Sequence, residues 1–372
     1  MPLSPTVTVL SCFSCGSTFD ADALQSRCRA CGMPLRVDLT LPVAAPADLI
    51  HTDDFSMWRY AGVLPVPRSE AISLVEGFTP LIELDERTWI KDEARNPTGS
   101  SKARGMSMAV SAAVLLGAER LVAAAAGSAA VALSAYGAAA GVPVRVAIPD
   151  DTPQAFADEC RRYGADVDLV PNSGARASAA ARPGERDVDV STMREPFRVE
   201  GEKTMAYEIF EQFHGDMPDV VVYPTGGGTG LVGMWKAWDE MERMGWIGEQ
   251  RPRLVSVQAS GCAPIVRGFD AGSEITELWE GAKTTAYDLR VAQPIGGFLC
   301  LQAIRETEGT AVAIPDQEMR DMASRLAAAT GVDICTEGGA AWAATKRLRA
   351  SGWIAEADRV VLFNTGAGLE GR

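Results

Sequence analysis

Lys102 closes the run KDEARNPTGSSK (Lys91–Lys102), and a helical pattern follows it directly. A helix N-terminus already carries partial positive charge, so a cation there has either an assignment or no purpose beyond solvation. Three glycine-bearing turns elsewhere could give it one. The first is PTGGGTG (Pro224–Gly230), between an apolar strand pattern and an amphipathic helix pattern. Successive backbone N–H groups in such a turn can face inward, and the helix dipole adds to them, which makes a cradle for phosphate. The same stretch holds GTGLVG (Gly228, Gly230, Gly233), the spacing of a dinucleotide fingerprint. That fingerprint calls for an acid near the end of the next strand, where this chain has Val257, Gln258, Ala259 and Ser260. The second turn is Ala126-Gly127-Ser128, where Ser128 either faces a ligand or simply caps a helix. The third is Asn364-Thr365-Gly366-Ala367-Gly368 after the last strand pattern, where Thr365 offers a hydroxyl or the glycines merely close the chain.

A lysine at a helix mouth, a phosphate cradle and a neutral hydroxyl at a strand end together suit pyridoxal phosphate. The lysine would bind the aldehyde, the glycine turn the phosphate, and the hydroxyl the ring nitrogen. A lysine that can also carry protons fits a chain with only two histidines, His51 and His214. At the other end of the sequence, Cys12 and Cys15 are followed after a dozen residues by Cys28 and Cys31, each pair trailed by a glycine, Gly16 or Gly32. Four thiolates at this spacing can close a tetrahedral zinc site, structural because no position is left open; two disulfides are the alternative. A ribbon of about 35 residues buries too little core to stand without such a staple. The other cysteines (Cys160, Cys262, Cys300, Cys335) are scattered, as buried thiols in a reducing compartment would be.

Strand-like runs at 88–93, 120–126, 143–149, 165–171, 219–225, 253–259, 310–315 and 359–365 alternate with helical patterns at 101–116, 129–140, 152–163, 203–213, 230–243, 316–329 and 338–350. This alternation predicts an α/β fold with parallel sheets covered on both faces. The proline-rich stretch 37–70 reads as a connector packed through Trp58 and Tyr60, and Ala175–Asp189 as a solvated helix and loop. The 372 residues carry a net charge of −14, which argues against a nucleic-acid partner. The first thirty residues show no secretory signal, and no apolar run reaches the roughly 20 residues of a membrane span, so a cytoplasmic protein is expected.

Taken together, KDEARNPTGSSKARG, PTGGGTG, EPFRVEGEKT (Glu195–Thr204) and LFNTGAGL resemble the threonine synthase family, fold type II pyridoxal-phosphate enzymes with a fold like the tryptophan synthase β subunit. Many of its members also begin with a paired CxxC ribbon. The resemblance implies a two-domain protein with an appended zinc ribbon: the ribbon at 1–36, a large cofactor-binding domain at 37–104 and 191–372, and a smaller mobile domain at 105–190. It implies that Lys102 holds the cofactor, that Gly226, Gly227, Gly228, Thr229 and Gly230 hold its phosphate, and that Thr365 meets its ring nitrogen. Thr98 and Ser100 fall in the turn that receives the substrate, and Arg198 near the phosphate of O-phosphohomoserine. Lys203 either joins Arg198 or is a solvated residue at a helix start, and the second is the expectation. Two positions depart from the pattern: Ser128 where the family usually has asparagine, and Ala103 where it usually has aspartate after the lysine. The implied reaction eliminates phosphate and adds water to give L-threonine. The alternatives are a β-replacement or dehydratase enzyme on another amino acid, or a non-catalytic relative. A homodimer acting on an amino-acid substrate is expected.

Overall fold

In a computed structural model the described residues are 2–125, 127–171, 184 and 186–367. In chain order the N-terminal strands are β1 (Val7–Cys12), β2 (Thr18–Phe19) and β3 (Leu35–Leu39), followed by a single helical turn α1 (Pro46–Leu49). Then come β4 (Leu81–Asp85), β5 (Thr88–Asp92), α2 (Lys102–Leu115), β6 (Arg120–Ala124), α3 (Ser128–Ala140), β7 (Val144–Pro149), α4 (Gln154–Arg162), β8 (Asp166–Val170) and β9 (Asp187–Asp189). The second half holds α5 (Arg198–Glu202), α6 (Thr204–Gln212), β10 (Val220–Pro224), α7 (Thr229–Arg243), β11 (Arg253–Ala259), α8 (Pro264–Asp270), α9 (Gly297–Glu306), β12 (Thr310–Ile314), α10 (Asp316–Thr330), α11 (Thr336–Ala350) and β13 (Val360–Asn364).

The chain divides into two compact units, residues 1–78, 102–204 and 243–246 in one and 79–101, 205–242 and 247–372 in the other. The first unit contains the antiparallel ribbon β2-β1-β3 and a parallel sheet ordered β8-β7-β6-β9. The second contains a six-stranded sheet ordered β12-β11-β10-β13-β5-β4. Its strands are parallel except β4, which runs against β5. The parallel order expected of the alternating strands is present, and β4, outside the expected runs, adds an antiparallel edge. Glu86 and Arg87 alone join β4 to β5, and a two-residue link permits only a hairpin return. Most of the solvated segment expected at 175–189 lies outside the described residues, but its last three form β9, where Val188 and Asp189 are buried.

The core of the second unit shows why its strands read as unbroken apolar runs. Val220, Val222, Val255, Val257, Val360 and Leu362 lie buried in one cluster with Ala340, Ala341, Ala343 and Ala344 of α11. Small side chains there let the helix lie close against the sheet. In the first unit the ribbon does not keep a core of its own. Leu10, Cys12, Cys28, Leu35 and Val37 share one cluster with Met57, Trp58, Leu64 and Val66 of the connector, and with Met108 and Ala112 of α2. Among the described residues no helix is long and apolar enough to cross a membrane.

Candidate active site

In the second unit, β10, β13 and β5 are neighbours and parallel, so the loops that leave their carboxyl ends emerge side by side. Ligands of open α/β sheets bind at such an edge. The loop after β10 is Thr225–Gly228, the one after β13 begins at Thr365, and the one after β5 runs through Ser101 to Lys102. At Gly226 and Gly228 the loop after β10 has no room for a side chain. A Cβ on Gly226 would lie 2.1 Å from the Asp288 carbonyl oxygen, and one on Gly228, whose φ is +92°, would lie 2.2 Å from Cys300 Sγ. The turn is pinned where Thr225 N–H donates to Val257 O (2.8 Å) and Val232 N–H to Gly228 O (2.9 Å). Helix α7 then starts at Thr229 and includes Gly230, so its first N–H groups lack intrahelical acceptors and its dipole favours an anion.

The loop that leads to Lys102 is stitched to the end of β13. Ser101 N–H donates to Thr365 O (2.9 Å), Ala367 N–H donates to Gly99 O (2.7 Å), and Ser100 pairs with Gly366. Within this stitch Thr98 has φ +63°, a left-handed conformation that costs a β-branched residue energy and persists only where the surroundings over-determine it. Thr98 Oγ1 and Ser100 Oγ are both buried without a hydrogen-bond partner. Two buried hydroxyls without protein partners in a strained turn are groups that a bound molecule could satisfy. Lys102, partly buried, is the first residue of α2.

Two buried polar groups fix the base of this loop, and sequence reasoning did not single them out. Lys91 Nζ, fully buried, donates to Thr79 O (2.7 Å), Glu208 Oε2 (2.7 Å) and Gln212 Oε1 (3.0 Å). Asn364, fully buried at the end of β13, donates from Nδ2 to Asp92 Oδ1 and Asp333 O, both at 2.8 Å. Its Oδ1 accepts from the Cys335 N–H (3.0 Å) and thiol (3.2 Å). Burial pushes the Asp92 carboxyl up, and burial with the Glu337 charge keeps the Cys335 thiol well above its usual value. The available signal was a polar residue at or next to the end of each of two strand runs, TWIKD and VVLFN.

The remaining sequence-predicted residues lie in the first unit. Ser128 is the first residue of α3, with Gly127 in the capping position, so it is not the cap itself. Ala103 is fully buried in α2. Arg198 opens α5 and is buried; its guanidinium donates to Val190 O (3.0 Å) and lies 3.8 Å from Glu202, while its Nε has no partner. Lys203 is not solvated, contrary to expectation. It is fully buried, with Nζ 2.7 Å from Glu200 Oε2, because α5 turns its charged face inward and each charge there needs a partner. Glu195 accepts from the Phe197 (2.7 Å) and Arg198 (3.0 Å) N–H groups, and burial pushes its carboxyl up to about 7 against the pull of Arg198.

The Sγ atoms of Cys12, Cys15, Cys28 and Cys31 lie within 4.8 Å of one another, with Cys12–Cys31 and Cys15–Cys31 at 3.5 Å and Cys15–Cys28 at 3.6 Å. Disulfide sulfurs sit at about 2.05 Å, so these are four free thiols, as the remaining cysteines are. Sulfurs around a tetrahedral zinc ion lie about 3.8 Å apart, close to this arrangement. Gly16 (φ +71°) and Gly32 (φ +75°) make the knuckle turns, their N–H groups bonding back to Cys12 O and Cys28 O.

A family model described as pyridoxal-phosphate dependent enzyme matches residues 72–366. A threonine synthase from Methanosarcina acetivorans is 30% identical over 96% of this chain and 91% of its own length. One from Methanocaldococcus jannaschii is 30% identical over 96% and 92%. The chain belongs to the threonine synthase-like family of pyridoxal-phosphate-dependent enzymes. Solved structures share the family's α/β fold: a fungal L-serine ammonia-lyase from Rhizomucor miehei has a TM-score of 0.66 at 20% identity, covering 78% of this chain and 93% of its own. The processed form of threonine deaminase isoform 2 from Solanum lycopersicum has a TM-score of 0.62 at 19% identity, covering 76% and 75%. The residues present fit the cofactor of the family. The glycine turn at a helix start is a cradle that a Cβ would fill, and orphaned hydroxyls stand in the loop that ends at a lysine.

Proposed function

We propose that the protein is a pyridoxal-phosphate-dependent lyase of threonine synthase type, eliminating phosphate from O-phosphohomoserine and adding water to give L-threonine. The observation that carries this is the loop ahead of Lys102, stitched to the end of β13 through Ser101 on Thr365, Ser100 on Gly366 and Gly99 on Ala367, with the orphaned hydroxyls of Thr98 and Ser100 in it. Lys102 is the residue to hold the cofactor aldehyde, Gly226 to Gly230 its phosphate and Thr365 its ring nitrogen, with Ser128 in the place of the family's asparagine. The bound cofactor supplies an electron sink for negative charge at the substrate Cα. Lys102 Nζ takes the proton from Cα and serves again as donor at the neighbouring carbons. Thr98 and Ser100 offer their unpaired hydroxyls to the substrate carboxylate. Arg198 offers its unpaired Nε to the departing phosphate, a charge-assisted bond.

A structural zinc ion held by Cys12, Cys15, Cys28 and Cys31 is part of the same reading. So are a homodimer and a cytoplasmic location, to which four scattered, buried free thiols are suited. A second reading, a dehydratase or related enzyme on serine or threonine, is favoured by Ser128 and by the ammonia-lyase and deaminase among the structural relatives. The dinucleotide alternative loses its acceptor: Gln258 bonds to the Ile265 and Val266 N–H groups and to Thr225 O. Purified protein should absorb near the edge of the visible range, and Lys102→Ala should abolish that band. A colourless protein unchanged by added cofactor ends the proposal. Phosphohomoserine, phosphoserine, threonine and serine, assayed for phosphate and keto-acid release, separate the two readings.

A further inference from the structure

The loop that delivers Lys102 is a closed ring. It leaves the sheet at Asp92, returns at Ser101 to bond with Thr365 O, and closes back to Asp92 through the Asn364 carboxamide. Inside the ring lie the left-handed Thr98 and the two orphaned hydroxyls. Resting on the proposal that this loop and Thr365 bind the cofactor, we infer that Asn364 is a positioning residue, setting the register in which the Lys102 loop and Thr365 face it.

The carboxamide is suited to that task by its full complement of bonds. It joins three segments: the end of β5 through Asp92, the approach to α11 through Asp333 and Cys335, and its own strand. Two donors and two acceptor sites on one planar group are all used. The α11 start is fitted around it: Gly338 N–H donates to Cys335 Sγ (3.2 Å), and a Cβ on Gly338 would lie 2.4 Å from Asn364 Oδ1. Aspartate at 364 would keep the acceptors and lose both donors, setting a carboxylate against Asp92. Strain such as that at Thr98 survives only while the ring around it is closed.

The test is cofactor titration, followed by the absorbance of the lysine-bound form, on wild type, Asn364→Asp and the exchange Asp92→Asn with Asn364→Asp, beside thermal unfolding of each cofactor-free protein. Asn364→Asp is expected to weaken cofactor binding at least about tenfold, the loss of one or more buried bonds to a charged group. The exchange restores a donor, now from residue 92, and is expected to regain most of that affinity, more than it regains in melting temperature. Wild type with no Lys102-dependent band overturns the functional proposal and this inference together. Wild type that binds while Asn364→Asp binds equally well overturns this inference alone. Affinity and melting temperature that fall and recover strictly in step, or an exchange variant that folds yet binds no better than Asn364→Asp, also overturn it, because Asn364 is then only a stabiliser of the sheet.

Discussion

The metal knuckles and the phosphate turn both rely on glycine, for opposite physical reasons. Gly16 and Gly32 have positive φ, and a Cβ on either would meet nothing within 4 Å. They are needed for the bend of the backbone. Gly226 has no positive φ, yet a Cβ there would strike the Asp288 carbonyl oxygen. It is needed for space. Gly228 answers to both demands at once. One region therefore selects a conformation and leaves the side chain open to solvent, while the other selects an absent side chain, which on the proposed reading keeps backbone N–H groups within reach of an anion.

Breaking the proposed zinc site of the knuckles gives the largest expected effect. Cys28→Ser, or a strong chelator, should release zinc and destabilise the first unit by several kcal/mol, since structural zinc contributes on the order of 10 kcal/mol of binding. Metal analysis beside thermal unfolding checks it, and an unchanged melt would show that the bend alone holds the ribbon. A pH series provides a control outside both loops. Glu195 has its pKa raised to about 7 from the usual 4.5, so the folded protein holds that proton more tightly than the unfolded chain. Its contribution is greatest below about pH 4.5 and is lost as pH rises through about 7, by roughly 3 kcal/mol. Glu195→Gln should flatten that slope in denaturant titrations between pH 5 and 8.

Gly226→Ala should cost about 1–3 kcal/mol of cofactor binding through overpacking, and Gly226→Asn should be no better. Gly32→Ala should cost about 1 kcal/mol of stability through the left-handed backbone, with Gly32→Asn recovering part of it. The pair is decisive: asparagine rescuing both positions, or neither, would erase the distinction between bend and space. The smallest effect expected is that of Ser128→Asn, which restores the family's usual residue at the start of α3. A gain in turnover of severalfold would mark a tuned threonine synthase-like enzyme.

The strands that carry the site were legible because burial on both faces leaves long apolar runs, as in VVVYP and VVLFN. Edge strand β4 was not, because none of its five residues is fully buried and the alternation in LIELD is too short to stand out. Helices α8 and α9 also escaped, one only seven residues long and the other entered through Gly296 without a side-chain cap. The family could be read from motif spacing and resemblance, and the candidate site residues follow from those same motifs. Their supports could not, since Lys91, Lys203 and Asn364 are polar types whose burial depends on partners distant in the chain or on a charged helix face turned inward. Lys203 was misjudged for that reason: a single sequence does not reveal that its charge is matched inside.

Because the cysteine-bound N-terminus has merged its apolar side chains with those of α2, it cannot be trimmed away as a tag. Chains beginning near residue 40 would bare Met108 and Ala112 along the helix that opens with Lys102. Such truncations should clump on expression, and any soluble fraction should carry Lys102 on a loosened helix. On the proposed reading, in which zinc fills the cysteine cluster and Lys102 holds the cofactor, trace-metal supply would set the rigidity of the helix that opens with Lys102.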